Sequence, residues 1–194
     1  MKRFDIPQIN TPAYWDAMYA KKYVDETRAL RQKEYLSHVP QGAERVIELG
    51  CGLSPFAIMA KGIERIPDVW GLDYAPRTIQ HLRDNWSGVT WVVGDALATP
   101  FRDGYFDVVV AGEILEHFEE PKKLLEEMNR ICRAGGTLIL STAKVEFEDP
   151  EHLWEFDAAD VKQMMDVYGD AQTSVIHSEF FPGRSYTFGW VTKK

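Results

Sequence analysis

Cysteine is scarce. The 194 residues contain two, Cys51 and Cys132, and no Cys-x-x-Cys pair. That excludes a disulfide framework and a zinc finger, and it is the usage expected of reduced thiols in a cytoplasmic protein. Long apolar runs are missing too. No stretch approaches the roughly 20 residues that a membrane span requires. The first residues have a basic start but no apolar segment behind it, so they do not read as a signal peptide. Basic charge is in deficit: Lys and Arg number 22 against 30 Asp and Glu, a net charge of −8. A protein that holds nucleic acid or an anionic membrane through lysine and arginine has the opposite balance. No internal repeat or low-complexity tract interrupts the chain. Hydrophobic residues make up 45% and charged residues 27%, which are globular values.

What is present alternates between strand and helix. Residues 12–38 read as helical, with Tyr14, Trp15, Met18, Tyr19 and Tyr23 on one stripe, until Pro40, Gln41 and Gly42 break the pattern. Short apolar runs at 45–49, 68–73, 90–95, 106–111 and 137–142 read as strands. Between them lie helical stretches at 54–62, with Pro55 in the first turn, and at 76–86, with Ile79 and Leu82 inward. Leu124, Leu125, Met128, Ile131 and Cys132 mark an amphipathic helix, which Gly135 and Gly136 are expected to stop. Strands this apolar, flanked by helices, predict a parallel sheet covered on both faces. Asp157 is the expected N-cap of a last helix carrying Val161, Met164, Met165 and Tyr168. Two further strand runs flank residues 182–185 and predict an antiparallel hairpin. The expected fold is α/β: a Rossmann-like, seven-stranded, mostly parallel sheet with helices on both faces and a C-terminal hairpin. Residues 1–194 are expected to form one domain, with a helical cap at 1–40, a ligand-binding core at 44–142 and a C-terminal helix and hairpin at 143–194.

Gly50-Cys51-Gly52 follows the first core strand and precedes a helix. Glycines there let the backbone turn sharply and come close to a ligand, at a helix end rich in unsatisfied N–H groups. Asp73 closes the next strand, 21 residues after Gly52, where a carboxylate can accept both hydroxyls of a ribose. The pattern predicts nucleotide or nucleoside binding. It lacks the third glycine of a dinucleotide fingerprint, running on to Pro55 instead, which disfavours a nicotinamide oxidoreductase.

Glu48-Leu49-Gly50-Cys51-Gly52 resembles the first motif of class I S-adenosylmethionine-dependent methyltransferases. The resemblance continues through Gly71-Leu72-Asp73-Tyr74, Gly94-Asp95-Ala96, Tyr105-Phe106-Asp107 and Ala134-Gly135-Gly136-Thr137-Leu138. It spans about residues 44–157, with Ser54 standing where many members carry another glycine. By that resemblance Glu48 organises the loop, and Gly50, Cys51 and Gly52 flank the methionine part of S-adenosylmethionine. Asp73 would hold the ribose, Tyr74 the adenine face, Asp95 and the Ala96 N–H the adenine edge, and Glu113 would complete the cofactor set.

Glu113, Glu116 and His117 follow the fourth strand. If that segment is helical, offsets of 0, 3 and 4 put them on one face. His152 follows the fifth strand and can reach the same cleft. Carboxylates and imidazoles together suit Mg²⁺, Mn²⁺ or Zn²⁺. The arrangement resembles the metal-binding Glu-x-x-Glu-His of ubiquinone-type O-methyltransferases and of small-RNA terminal 2′-O-methyltransferases. Glu113, Glu116, His117 and His152 are therefore the candidate metal ligands, and His117 and His152 the candidate catalytic residues; a metal-free histidine base is the other reading. The expected activity is methyl transfer to oxygen of a small hydroxylated molecule. A 2′-O-methyltransferase of RNA and a non-catalytic cofactor-binding protein are the alternatives, the former disfavoured by the acidic charge. The N-terminal aromatic stripe is either a lid over the cofactor or plain packing, and Arg184 is either a contact for an acidic substrate or a solvated turn residue.

Overall fold

A computed structural model describes residues 1–6, 9–19, 27–53, 56–62, 66–144, 151–178 and 183–194. Tyr23, Ser54 and Pro55, named above, and residue 182 of the expected turn lie outside the described residues. Two residues at each of Lys2–Arg3 (β1) and Trp154–Glu155 (β7) pair as a small antiparallel ribbon. The main sheet contains Arg45–Leu49 (β2), Asp68–Asp73 (β3), Thr90–Val93 (β4), Phe106–Gly112 (β5) and Cys132–Lys144 (β6), then Gln172–His177 (β8) and Ser185–Thr192 (β9). Its order is β4-β3-β2-β5-β6-β9-β8.

The apolar runs explain the centre of that order. Val46, Ile47 and Leu49 of β2 and Val108, Val109 and Val110 of β5 are fully buried, as interior parallel strands require. β2 pairs in parallel with both β3 and β5, while β9 runs antiparallel to β6 and β8, the expected hairpin. The chain winds outward in one direction from β2 through β3 to β4, and in the other from β5 to β6. The crevice at the carboxyl ends of β2 and β5 is thus the switch point where ligands of such sheets bind. The Gly50–Gly52 loop and Glu113 stand at that place.

Helices Pro12–Tyr19 (α1), Thr27–Ser37 (α2), Phe56–Gly62 (α3), Pro76–Asn85 (α4), Pro121–Ile131 (α5) and Ala158–Met165 (α6) surround the sheet. Ile79 and Leu82 of α4 are buried, as the spacing required. α6 begins with a full capping box: Asp157 accepts the Asp160 N–H, and Asp160 accepts the Asp157 N–H. Such a cap is worth about 1 kcal/mol. α4 has no side-chain cap of its own; Asp16 of α1 supplies one by accepting the Arg77 and Thr78 N–H groups at 3.0 and 3.2 Å.

Three expectations change. The stretch 12–38 contains two described helices, α1 and α2. The amphipathic helix stops at Ile131, before the glycines: Cys132 is already extended and begins β6 by pairing with Phe106. Its last carbonyls are satisfied from a distance, since Lys193 Nζ donates to the oxygens of Asn129 and Cys132. Gly135 (φ +71°) belongs to the irregular entry of β6. Finally, Tyr168 lies past the end of α6, which closes at Met165. Among the described residues no helix is long and apolar enough to cross a membrane.

Candidate active site

Over the switch point lies a cavity of about 560 Å³. Its floor is the glycine loop. Gly50 (φ +63°) and Gly52 (φ +49°) are left-handed, where a Cβ is unfavourable. A Cβ would also collide with neighbours: at Gly50 it would stand 2.5 Å from Ile114 Cγ2, and at Gly52 2.7 Å from Tyr19 Oη. These residues are glycine because α1 and the segment after β5 close directly on the loop.

Asp73 ties this floor together. Its Oδ2 accepts the Gly52 N–H at 2.8 Å and its Oδ1 accepts the Ala75 N–H at 2.9 Å. Burial raises its pKa, against the pull of those two hydrogen bonds. Glu48 is buried and accepts the Ala57 N–H, linking β2 to α3. Asp95 is exposed at the rim, where it accepts the Leu97 N–H at 2.8 Å in a local turn. Tyr74 lines the same wall, with its hydroxyl pKa raised by burial. Ala96 lines the cavity as well. Cys51 also lines the cavity, but burial holds its thiol well above the ordinary value, which disfavours the reactive thiolate.

Across the cavity the second cluster takes a form that helical spacing did not predict. Glu113 is left-handed (φ +55°), the only non-glycine so placed among the described residues, and only Leu115–His117 follow as a single 3₁₀ turn. Glu113, Glu116 and His117 therefore do not share a helix face. Glu113 pairs with Arg31 of α2, whose guanidinium lies 4.3 Å over the Tyr186 ring. A non-glycine residue in this conformation costs about 1–3 kcal/mol and persists where the surroundings hold it.

Glu116, His117 and His152 do come together. One ligand atom from each lies within 4.8 Å of the others, and all three residues are buried. Glu116 Oε1 accepts the Ala143 N–H at 2.8 Å and stands 4.0 Å from His152 Nε2. Its Oε2 makes no hydrogen bond of good geometry among the described residues, although the Thr142 side chain acts on the same carboxyl. Burial pushes this carboxyl up to about 8, opposed by the Ala143 hydrogen bond. A buried carboxyl with an unsatisfied oxygen calls for a proton or a cation. His117 Nδ1 donates to the Glu151 carbonyl at 2.6 Å, and its ring lies edge-on to His152 with centroids 5.0 Å apart.

α1 roofs both halves. Trp15 packs against Tyr19 on one side and His117 on the other, with centroids 5.5 and 5.1 Å apart. Of the stripe, Trp15, Met18 and Tyr19 line the cavity, and Arg184 lines it as well. Sequence reading missed Asn10, Arg31, Gln32 and Glu151, all of which line the cavity. Nothing local marks them: each is an ordinary polar residue until the fold sets it beside a strand end.

Residues 47–140 match the family model for a methyltransferase domain. A probable S-adenosylmethionine-dependent methyltransferase of Mycolicibacterium smegmatis is 27% identical over 172 residues, covering 84% of this chain and 62% of that protein. A ubiquinone biosynthesis O-methyltransferase of Methylococcus capsulatus is 26% identical over 136 residues, 66% of this chain and 56% of that one. The chain thus spans less than two thirds of the length of these curated relatives. A solved S-adenosylmethionine-dependent methyltransferase of Archaeoglobus fulgidus superposes with a TM-score of 0.69 at 16% identity, covering 93% of this chain and 99% of that one. The chain carries a methyltransferase domain with the class I fold, and it resembles S-adenosylmethionine-dependent methyltransferases in both sequence and architecture.

Proposed function

We propose that this protein transfers the methyl group of S-adenosylmethionine to an oxygen of a small hydroxylated molecule, and that Glu116, His117 and His152 activate that oxygen. The observation that carries the reading is the meeting of two unlike clusters in one cavity. The glycine loop, Asp73, Tyr74, Asp95 and Ala96 line one part of it; His117 and His152 line another, with Glu116 fully buried beside them.

The first wall suits an adenosyl group. Asp73 retains acceptor capacity for ribose hydroxyls beyond its two backbone bonds. Asp95 and the Ala96 N–H offer one acceptor and one donor to an adenine edge, and Tyr74 offers an aromatic face. The Arg31–Glu113 pair supplies opposite charges for the carboxylate and ammonium of the methionine head. Displacement at a sulfonium methyl needs its two reactants held in line, and positioning of this kind supplies much of the rate. The remaining task is to remove or hold the acceptor proton. His117, with its proton fixed at Nδ1, presents an Nε2 lone pair for that purpose.

The same cluster fits a divalent cation. Two imidazoles and a carboxylate form a nitrogen-rich donor set, which favours Zn²⁺ or Mn²⁺ over Mg²⁺. The orphaned Glu116 Oε2 is the atom such an ion would satisfy. A bound cation would acidify a coordinated hydroxyl, as zinc takes water from about 15.7 to about 7. Glu116, His117 and His152 would be its ligands, with Glu113 held away on Arg31. The O-methyltransferase relative and the acidic charge support a small acceptor over RNA. Two buried free thiols fit a reducing compartment such as the cytoplasm. In this reading residues 1–40 cap the core and the whole stretch acts as one unit.

The test is methyl transfer from S-adenosylmethionine to a panel of small hydroxylated probes, with 3,4-dihydroxybenzoate first, with and without chelator. Transfer that falls at least about 100-fold in His152→Ala supports the activating cluster. Transfer unchanged after chelation removes the cation from the scheme. Tight S-adenosylhomocysteine binding with no transfer to any probe would make the protein a non-catalytic binder.

A further inference from the structure

His117 is held by residues from the opposite end of the chain. Its Nδ1 donates to the Glu151 carbonyl at 2.6 Å. The Asn10 side-chain amide donates to that same carbonyl at 3.1 Å and to the carbonyl of His117 itself at 3.3 Å. Tyr14 Oη donates to Glu151 Oε1 at 2.6 Å. Asn10 is 107 residues from His117 and 141 from Glu151 in the chain.

We propose that Asn10 and Tyr14 are positioning residues that fix the His117 imidazole in its Nδ1–H tautomer by holding Glu151. The inference rests on the reading of His117 as an oxygen-activating residue. The chemistry is direct. A carbonyl only accepts, so the ring atom facing Glu151 carries the proton, and the lone pair of the neutral ring sits on Nε2. That selection lasts only while the Glu151 carbonyl stays in place. The Asn10 amide has two N–H groups and sends one to each of two backbone segments, stapling the turn that bears His117 to the segment that bears His152. Tyr14 restrains Glu151 through its side chain, and Trp15, next along α1, packs its ring edge-on against the His117 ring. The partner that orients a reactive histidine thus comes from the N-terminal roof, which also closes over the cofactor loop through Tyr19. Docking of residues 10–19 and assembly of the acceptor cluster are one event.

The test is long-range ¹H–¹⁵N correlation of the histidine side chains in the wild type, Asn10→Asp, Asn10→Ala and Tyr14→Phe. Asn10→Asp keeps the shape of the side chain and removes both donors. The wild type is expected to show His117 as the Nδ1–H tautomer. Asn10→Asp and Asn10→Ala should show a mixture while melting cooperatively, and Tyr14→Phe a smaller change. Turnover of 3,4-dihydroxybenzoate should fall about 10–100-fold in Asn10→Asp, as loss of an orienting partner does, mainly in kcat. An unaltered His117 tautomer in both folded Asn10 variants would overturn the proposal. The spectrum decides this even if the wild type methylates no probe, an outcome that counts only against the proposed activity.

Discussion

The two ends of the sheet treat their acids in opposite ways. At the carboxyl ends of the strands, Asp73 and Glu116 are buried, and burial raises the pKa of both. Two acids outside that site are paired with arginines instead. Asp107, at the amino end of β5, accepts the Glu44 and Arg45 N–H groups at 2.8 Å and pairs with Arg133 at 2.5 Å. Burial opposes it, but these partners hold its carboxyl below the usual range. Glu127 of α5 is likewise held low by Arg130 and by the hydroxyl and N–H of Thr99. The difference is one of partner charge: Asp107 and Glu127 are each paired with an arginine, whereas Asp73 is held by backbone N–H groups alone and burial dominates at both Asp73 and Glu116, the combination in which perturbed acids mark candidate sites.

Four variants sharpen or break this contrast. The largest effect is expected from Asp73→Ala, which leaves the Gly52 and Ala75 N–H groups without their acceptor. S-adenosylhomocysteine affinity should fall on the order of 1,000-fold by calorimetry, two lost charge-assisted bonds to the ribose hydroxyls being worth about 4 kcal/mol. His117→Ala should lower turnover by about 100-fold while the same calorimetry gives a dissociation constant within about threefold of wild type. A matching loss of cofactor affinity would show that the two halves of the cavity are not separable. Glu127→Ala should destabilise the fold by about 2–3 kcal/mol in urea, because it leaves the buried Thr99 N–H without its acceptor and takes from Arg130 one of its two carboxylate partners, yet leave cofactor affinity unchanged. Asp107→Asn is the mildest. The folded pKa of Asp107 is depressed, so its stabilisation is present above the unfolded value near 3.9 and is lost as pH falls through the folded one. The variant should lose about 1 kcal/mol at pH 7, and its deficit should shrink below about pH 4. A constant deficit across that range would mean that charge is not what Asp107 contributes.

The same contrast explains what could be read from the chain. The proposed cofactor wall is built from residues at or just past the ends of successive strands, so its parts occur in order. Glu48, Gly50, Gly52, Asp73 and Asp95 each lie near or just past the end of an apolar run that predicts a strand, and the parallel sheet brings those ends together. The proposed acceptor wall has no such logic. Glu116 and His117 were legible as chemistry but not as geometry, because Glu113 takes a left-handed conformation that breaks the helix their spacing suggested. Arg31 looks like any arginine of a charged helix, and its place beside Glu113 follows only from how α2 lies on the sheet. Asn10 and Asp16 are equally silent. One staples two distant segments and the other caps a helix to which it is not connected. Contacts between remote segments leave no periodic trace. The end of α5 illustrates the point: a glycine stop was the local expectation, and Lys193 does that work from the far end of the chain.

The central claim is that donor and acceptor meet across one cavity, with the adenosyl group on the glycine-loop side. A crystal structure of the complex with S-adenosylhomocysteine tests it most directly. The expected map has ribose hydroxyls on Asp73, adenine between Tyr74 and the Asp95–Ala96 edge, and sulfur turned toward Glu116, His117 and His152. Sulfur facing away from those three residues, or a ligand bound outside this cavity, would contradict the account.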